Sequence, residues 1–358
     1  MYGQTWDELG TTPPARAWQM LRSLRHEPPG WAKKGPRKVM FGAALEQAEQ
    51  LFIAAKSVTP AASPVLLFYG LSQAGRAVAA AAAGKENVAR WQLKGHGITN
   101  ADAAGLSPAN LSTLTVQNNG SGSFTQLADI LRAASLPTPV ALGEIWCLLP
   151  ESVHFPLPGM GSLRPEYIQL ASYGIRDESK LLASVYVPSA LLEQRPDPDP
   201  LAAVVGWDQQ RAAVREYLAK FPSLEGFNFT TPNGQRIEVR GHSSTTTEIV
   251  IQWEKPPDRT DRDELLRHAV GYRSAHLTFP AIGSDKRPPH PLLLWWAVLF
   301  ALSKLARYEP SMWATTISVN SSPAAAAVEH ILRESMAILP ELIHRTIFEV
   351  ATERDRDS

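Results

Sequence analysis

The sequence has a single cysteine, Cys147. A lone thiol excludes an intrachain disulfide, and its place in the apolar run EIWCLL marks it as a small core residue rather than a nucleophile. An excess of one charge sign is also lacking: Lys+Arg and Asp+Glu both number 35, so the formal net charge is zero. That balance excludes the global basic field of a non-specific nucleic-acid binder and leaves room only for a local basic groove. Long apolar runs are absent too. The most apolar segments, AVAAAAAG (77–84) and PLLLWWAVLFAL (291–302), fall short of the roughly 20 residues that a membrane span needs. The opening MYGQTWDELG has no basic stretch followed by an apolar one. No secretory signal and no membrane partner are therefore expected, and the chain reads as cytoplasmic.

Several chemical templates are missing. There is no G-x4-G-K-[ST] phosphate loop, no H-E-x-x-H and no Cys/His array for zinc, so neither a metal nor a cofactor is expected. The step Asp177-Glu178-Ser179-Lys180 resembles a nuclease acid-x-Lys pair, but without an upstream Asp on a strand it reads as a solvated turn.

What is present is a chain of 358 residues, 44% hydrophobic, able to bury a substantial core. The first part reads as helix. PARAWQMLRSLR (14–25) follows a Thr11-Thr12 cap, and VMFGAALEQAEQLFIAAKSV (39–58) has helical spacing, with a basic loop at 31–37 between them. Ser63-Pro64 opens a third helix that stops at Gly84. The stretch 91–111 reads as loop, 112–117 as a short strand, 118–123 as a turn and 124–134 as helix. In the middle, 167–174, 181–188, 235–241, 247–254 and 274–279 read as strands, with a Pro-punctuated linker at 195–200, a helix at 207–221 and an Asn-Gly hairpin signal in PNGQ (232–235). His290-Pro291 opens another helix, and Pro340 is expected to separate two final helices near 322–338 and 340–354. The tryptophans Trp295, Trp296 and Trp313 are expected in the core or an interface.

Two segments match each other: LFYGLSQAGRA (67–77) and LFALSKLARYE (299–309). Each carries Leu-Ser with an Arg four residues later, Ser72 with Arg76 and Ser303 with Arg307, and an aromatic three before each Ser, Tyr69 and Phe300. Residues i and i+4 share one helix face. The neighbours are almost all apolar, so each guanidinium needs a carboxylate, a carbonyl or a bound anion. The plainer reading is structural: the arginines tie helices together through Glu309, Glu46 or Glu49. The sharper reading is an anion pocket between the two helices, with Lys94 and His96 nearby. The small residues Gly70, Gly75, Ala301 and Ala306 are expected to let another backbone come close. Ser72 is not read as a hydrolase nucleophile, because G-x-S-x-G needs glycine where Ala74 stands.

The succession LFYGLSQAGRA, KGHGI (94–98), GSF (122–124), ALGEIWCLLPE (141–151), HPLLLWWAVLFALSKLARYEPSMW (290–313) and LPELIHRTI (339–347) resembles the YaaC-like family of bacterial proteins. The resemblance spans about 40–150 and 286–350 and is weak in between. The helical core of that family is reminiscent of HEPN-type domains, many of which are RNases in defence modules. This fold-level analogy implies an Arg and a His four to six residues apart. Arg90 and His96 have that spacing, as do Arg236 and His242, although Gly95 and Gly97 put His96 in a loop rather than on a helix. In such a site His96 would be the general acid/base and Arg90 would stabilise the phosphate.

The expected fold is α+β and mainly α: a discontinuous, HEPN-like helical core from 1–150 and 286–358, with a β-containing insert at 151–285. The leading expectation for function is a bacterial cytoplasmic protein acting as an RNA-directed effector, a metal-independent RNase if it is an enzyme, or as an accessory subunit of an anti-phage defence or stress module. The alternatives are a non-enzymatic scaffold or oligomerisation subunit, and a nucleotide or small-anion sensor. Expected partners are a second copy of the chain or a protein of the same operon, with RNA as a candidate ligand.

Overall fold

A computed structural model describes residues 12–83, 91–100, 105–171, 178–192, 200–230 and 237–352. The chain is α+β and mainly α, with antiparallel sheets. It separates into two compact units, one formed by 165–281 and one by the stretches on either side of it.

The helical unit begins with α1 (Pro14–His26), α2 (Gly35–Lys56) and α3 (Ser63–Ala81). The expected basic loop at 31–37 is instead a 3-10 turn, Gly30–Lys33, followed at once by the first turn of α2. The reason is Arg37. Its guanidinium donates to the carbonyls of Ala80 and Ala82, both at 3.2 Å, and lies over the rings of Trp31 and Trp91. A buried arginine thus satisfies the carbonyls at the end of α3, as cations do at helix C-termini. The expected stop at Gly84 lies outside the described residues.

Three short strands follow, β1 (Ile98–Asn100), β2 (Thr115–Asn118) and β3 (Val140–Ala141), paired antiparallel in that order. The stretch 91–111 therefore holds a strand as well as loop. Between β2 and β3 lies α4 (Ser123–Ile130), shorter than the expected 124–134, because Arg132 at φ 52° turns the chain out of the helix. α5 (Leu142–Cys147) buries Trp146 and Cys147, and burial pushes the Cys147 thiol up to about 11, which leaves it protonated and unreactive.

The unit 165–281 is built on a seven-stranded sheet. In chain order it comprises β4 (Glu166–Leu170), β5 (Lys180–Pro188), α6 (Pro200–Leu218), β6 (Asn228–Phe229), β7 (Glu238–His242), β8 (Thr246–Glu254), α7 (Asp261–His268), β9 (Val270–Tyr272) and β10 (Ala275–Thr278). The strand order is β6-β8-β5-β4-β10-β9, with β7 also on β8. The long pair β5–β8 runs from Lys180 opposite Glu254 to Pro188 opposite Thr246. Their inward Leu181, Ala183, Val185, Ile249, Ile251 and Trp253 are buried, the alternation expected of half-covered strands. Tyr217 on α6 donates a hydrogen bond to the Glu166 carboxyl on β4. Of the expected linker at 195–200, Pro200 is the first residue of α6, and the rest lies outside the described residues, as does the PNGQ hairpin signal.

The helical unit resumes with α8 (Pro291–Tyr308), α9 (Pro310–Thr316) and α10 (Ala325–Ala351). α8 starts as the sequence indicates: His290 is its N-cap, its Nδ1 accepting from the Leu292 amide at 3.1 Å, and Pro291 fills the first turn. Trp295 and Trp296 are fully buried. The expected break at Pro340 is overturned, because α10 runs through it as one helix. Proline removes one backbone bond, at a cost of about 3 kcal/mol in an unsupported helix. Here Leu339, Pro340, Leu342 and Ile343 are all buried, and burial of about 1.5–3 kcal/mol per large side chain outweighs that loss.

α3 and α8 pack antiparallel. Phe68 meets Phe300 at one level (ring centroids 5.4 Å), and Gly75 meets Trp296 further along. The glycines on α3 admit side chains rather than the expected backbone. A Cβ at Gly75 would fall 2.5 Å from a Trp296 ring carbon, and one at Gly70 would fall 2.8 Å from Phe52.

Candidate functional site

Where α3 and α8 meet the loop at 94–98, the structure brings together His96, Arg76 and Arg307. The loop is held by backbone. Gly97 has φ +70°, and a Cβ there would lie 2.5 Å from the backbone of Gly122, so only glycine fits. The carbonyls of Gly95 and His96 accept from the first amides of α4: His96 from Phe124 at 2.9 Å, Gly95 from Ser123 at 3.4 Å. The Ser123 hydroxyl adds a bond to Gly95 at 2.6 Å. These contacts tie the GSF segment to KGHGI.

So held, the His96 ring rests against Phe68, Phe300 and Tyr69, at centroid distances of 5.6, 6.1 and 6.3 Å, while the residue keeps an exposed side. Desolvation first, and then the positive charges of Arg307 and Arg76, depress its pKa. Both arginines therefore lie within electrostatic reach of one imidazole, which is neutral at pH 7.

Neither arginine has the carboxylate partner expected of it. Glu49 pairs with Arg22 and Glu46 with Arg25, each at 2.6 Å, and both arginines come from α1. Glu309 is exposed at the end of α8, and its carboxylate makes no ion pair among the described residues. Arg307 instead donates to the Tyr69 hydroxyl at 3.0 Å and to the Ser303 carbonyl at 3.2 Å. Among the described residues Arg76 donates to Gln73 alone, at 3.1 Å, and its buried Nε has no partner.

Further groups join them. Lys304, one turn before Arg307, donates to the Asn100 carbonyl at 3.1 Å. Among the described residues the fully buried Ser303 hydroxyl has no hydrogen-bond partner, and neither has the buried Asn100 Oδ1. Such orphaned polar groups are rare in folded proteins and call for a partner. Lys94 is exposed on the same loop, and Ser72 is half-buried on α3. Among the described residues no histidine is hydrogen-bonded to either serine hydroxyl, the contact that would activate a serine nucleophile.

Arg90 lies outside the described residues, as does Arg236. Lys304, Asn100 and Tyr308 were not singled out from the sequence. Lys304 had a signal, since it directly follows Ser303 in the matching segment. Asn100 sits in a strand too short to read. Among the described residues no group of three or more His, Cys, Asp or Glu is placed to hold a metal ion. No described helix is long and apolar enough to cross a membrane.

A family model for YaaC-like protein matches residues 15–347. The chain belongs to the YaaC-like family. No curated protein and no solved structure matches it.

Proposed function

We propose that the junction of α3, α8 and the 94–98 loop is an anion site, and that the protein works by taking up a phosphate-bearing ligand there. The observation that carries this reading is the pair Arg76 and Arg307 beside His96, with no carboxylate paired to either cation among the described residues. Partly buried guanidinium groups without counter-charge are stabilised by an incoming anion. The test is calorimetry with inorganic phosphate and pyrophosphate. Wild type binds, and Arg76→Ala and Arg307→Ala each weaken binding by about tenfold or more, the value of one charged hydrogen bond. Absence of binding, with a lowered melting temperature for Arg307→Ala, would make the arginines structural, as in a scaffold.

The catalytic version of this reading, an RNA-directed effector of a bacterial defence or stress module, has one observation in its favour. His96 is exposed and held neutral beside two arginines, so it can accept a proton from a 2′-hydroxyl while they bear the phosphate charge. RNA cleavage by wild type against His96→Ala decides this version. Equal activity in the two, or none in either, rules it out.

A further inference from the structure

The ring next to Arg307 points to what the phosphate is attached to. Tyr308 is 65% exposed and directly follows the partly buried Arg307. It is held at the end of α8, where Glu309 leaves the helix and Pro310 begins α9. The Arg307 guanidinium lies 5.0 Å from the Tyr308 ring centre and 5.6 Å from that of Tyr69. The cation thus covers one side of an otherwise exposed ring. A ring with a cation on one side and solvent on the other is the arrangement on which a nucleobase stacks while its phosphate meets the guanidinium.

Resting on the anion-site reading, we infer that the ligand is a nucleotide, with its phosphate at Arg307 and Arg76 and its base stacked on Tyr308. Stacking tolerates any base and favours the larger purines. A phosphate ester without a base would bind through the arginines alone.

The experiment compares AMP and GMP with ribose 5-phosphate by calorimetry, on wild type, Tyr308→Ala and Tyr308→Phe. The exposed position lets both variants fold, which melting temperature checks. Wild type is expected to bind at least one purine nucleotide about tenfold more tightly than ribose 5-phosphate. Tyr308→Ala removes that difference and leaves ribose 5-phosphate affinity unchanged, while Tyr308→Phe keeps it. Equal affinities in wild type, or a parallel loss for all three ligands in Tyr308→Ala, would overturn the stacking inference while leaving the anion site standing. No binding of any of the three would overturn both.

Discussion

Arg307 on α8 donates from Nη1 to the Tyr69 hydroxyl on α3 at 3.0 Å, across 238 residues of sequence. This bond joins the two matching segments beside the proposed site. A hydrogen bond to a charged group is worth about 1.5–3 kcal/mol. A double-mutant cycle of Tyr69→Phe and Arg307→Ala in chemical denaturation is therefore expected to give a coupling of about 1 kcal/mol or more. Additive effects would mean that the bond contributes nothing to the α3–α8 junction.

Ser303 supplies a contrast between stability and binding. Its hydroxyl is buried with no partner among the described residues, which costs about 1–3 kcal/mol. Ser303→Ala is expected to raise stability by about 1 kcal/mol and, because the side chain is fully buried, to leave pyrophosphate binding unchanged. A less stable variant would contradict this assignment.

Two helix glycines separate packing from propensity. Gly75 has no room for a Cβ against Trp296, so Gly75→Ala is expected to destabilise by about 1–3 kcal/mol through overpacking. Gly42 on α2 has open space, so Gly42→Ala is expected to stabilise by about 0.5–1 kcal/mol. Melting curves of the two variants shifting in the same direction would refute the α3–α8 packing described.

Glu166 predicts a pH dependence. Burial pushes its carboxyl up to about 8, against the smaller opposing effect of the Tyr217 hydroxyl, so the folded form holds the proton more tightly than the unfolded chain. A carboxyl with a raised folded pKa contributes stability that is full at acidic pH and is lost as pH rises through about 8. Glu166→Gln keeps an acceptor for Tyr217 but cannot ionise. The variant is expected to match wild type below the ordinary carboxyl value of 4.5 and to melt higher above pH 8. Parallel pH profiles for the two proteins would show that Glu166 is not desolvated.

The long elements were legible in the sequence because they repeat a period. α3 and α8 announced themselves by apolar runs behind X-Pro steps, and β5 and β8 by the Val, Ile, Thr and Tyr of 181–188 and 247–254. Strands such as β1, β3 and β6, at two or three residues, carry no period to read. Pro340 misled because a proline's local cost is visible in sequence, whereas the burial that offsets it is tertiary. The same gap affected the site. Arg76, His96 and Arg307 stood out singly, and the glycines of KGHGI correctly placed His96 in a loop. Their partners did not, because nothing in the spacing of Glu46 and Glu49 reveals that α1 supplies Arg25 and Arg22 to them.

The central claim is that an anion enters between Arg76 and Arg307 beside His96, and the His96 imidazole can report it directly. Its pKa, followed by proton NMR of the ring and assigned with His96→Ala, is expected below the ordinary 6.5 in the free protein, because burial and the two arginines oppose its charge. Saturating pyrophosphate should raise it, since an anion at the arginines offsets their repulsion and favours imidazolium. A His96 pKa that stays unmoved by pyrophosphate would contradict the account.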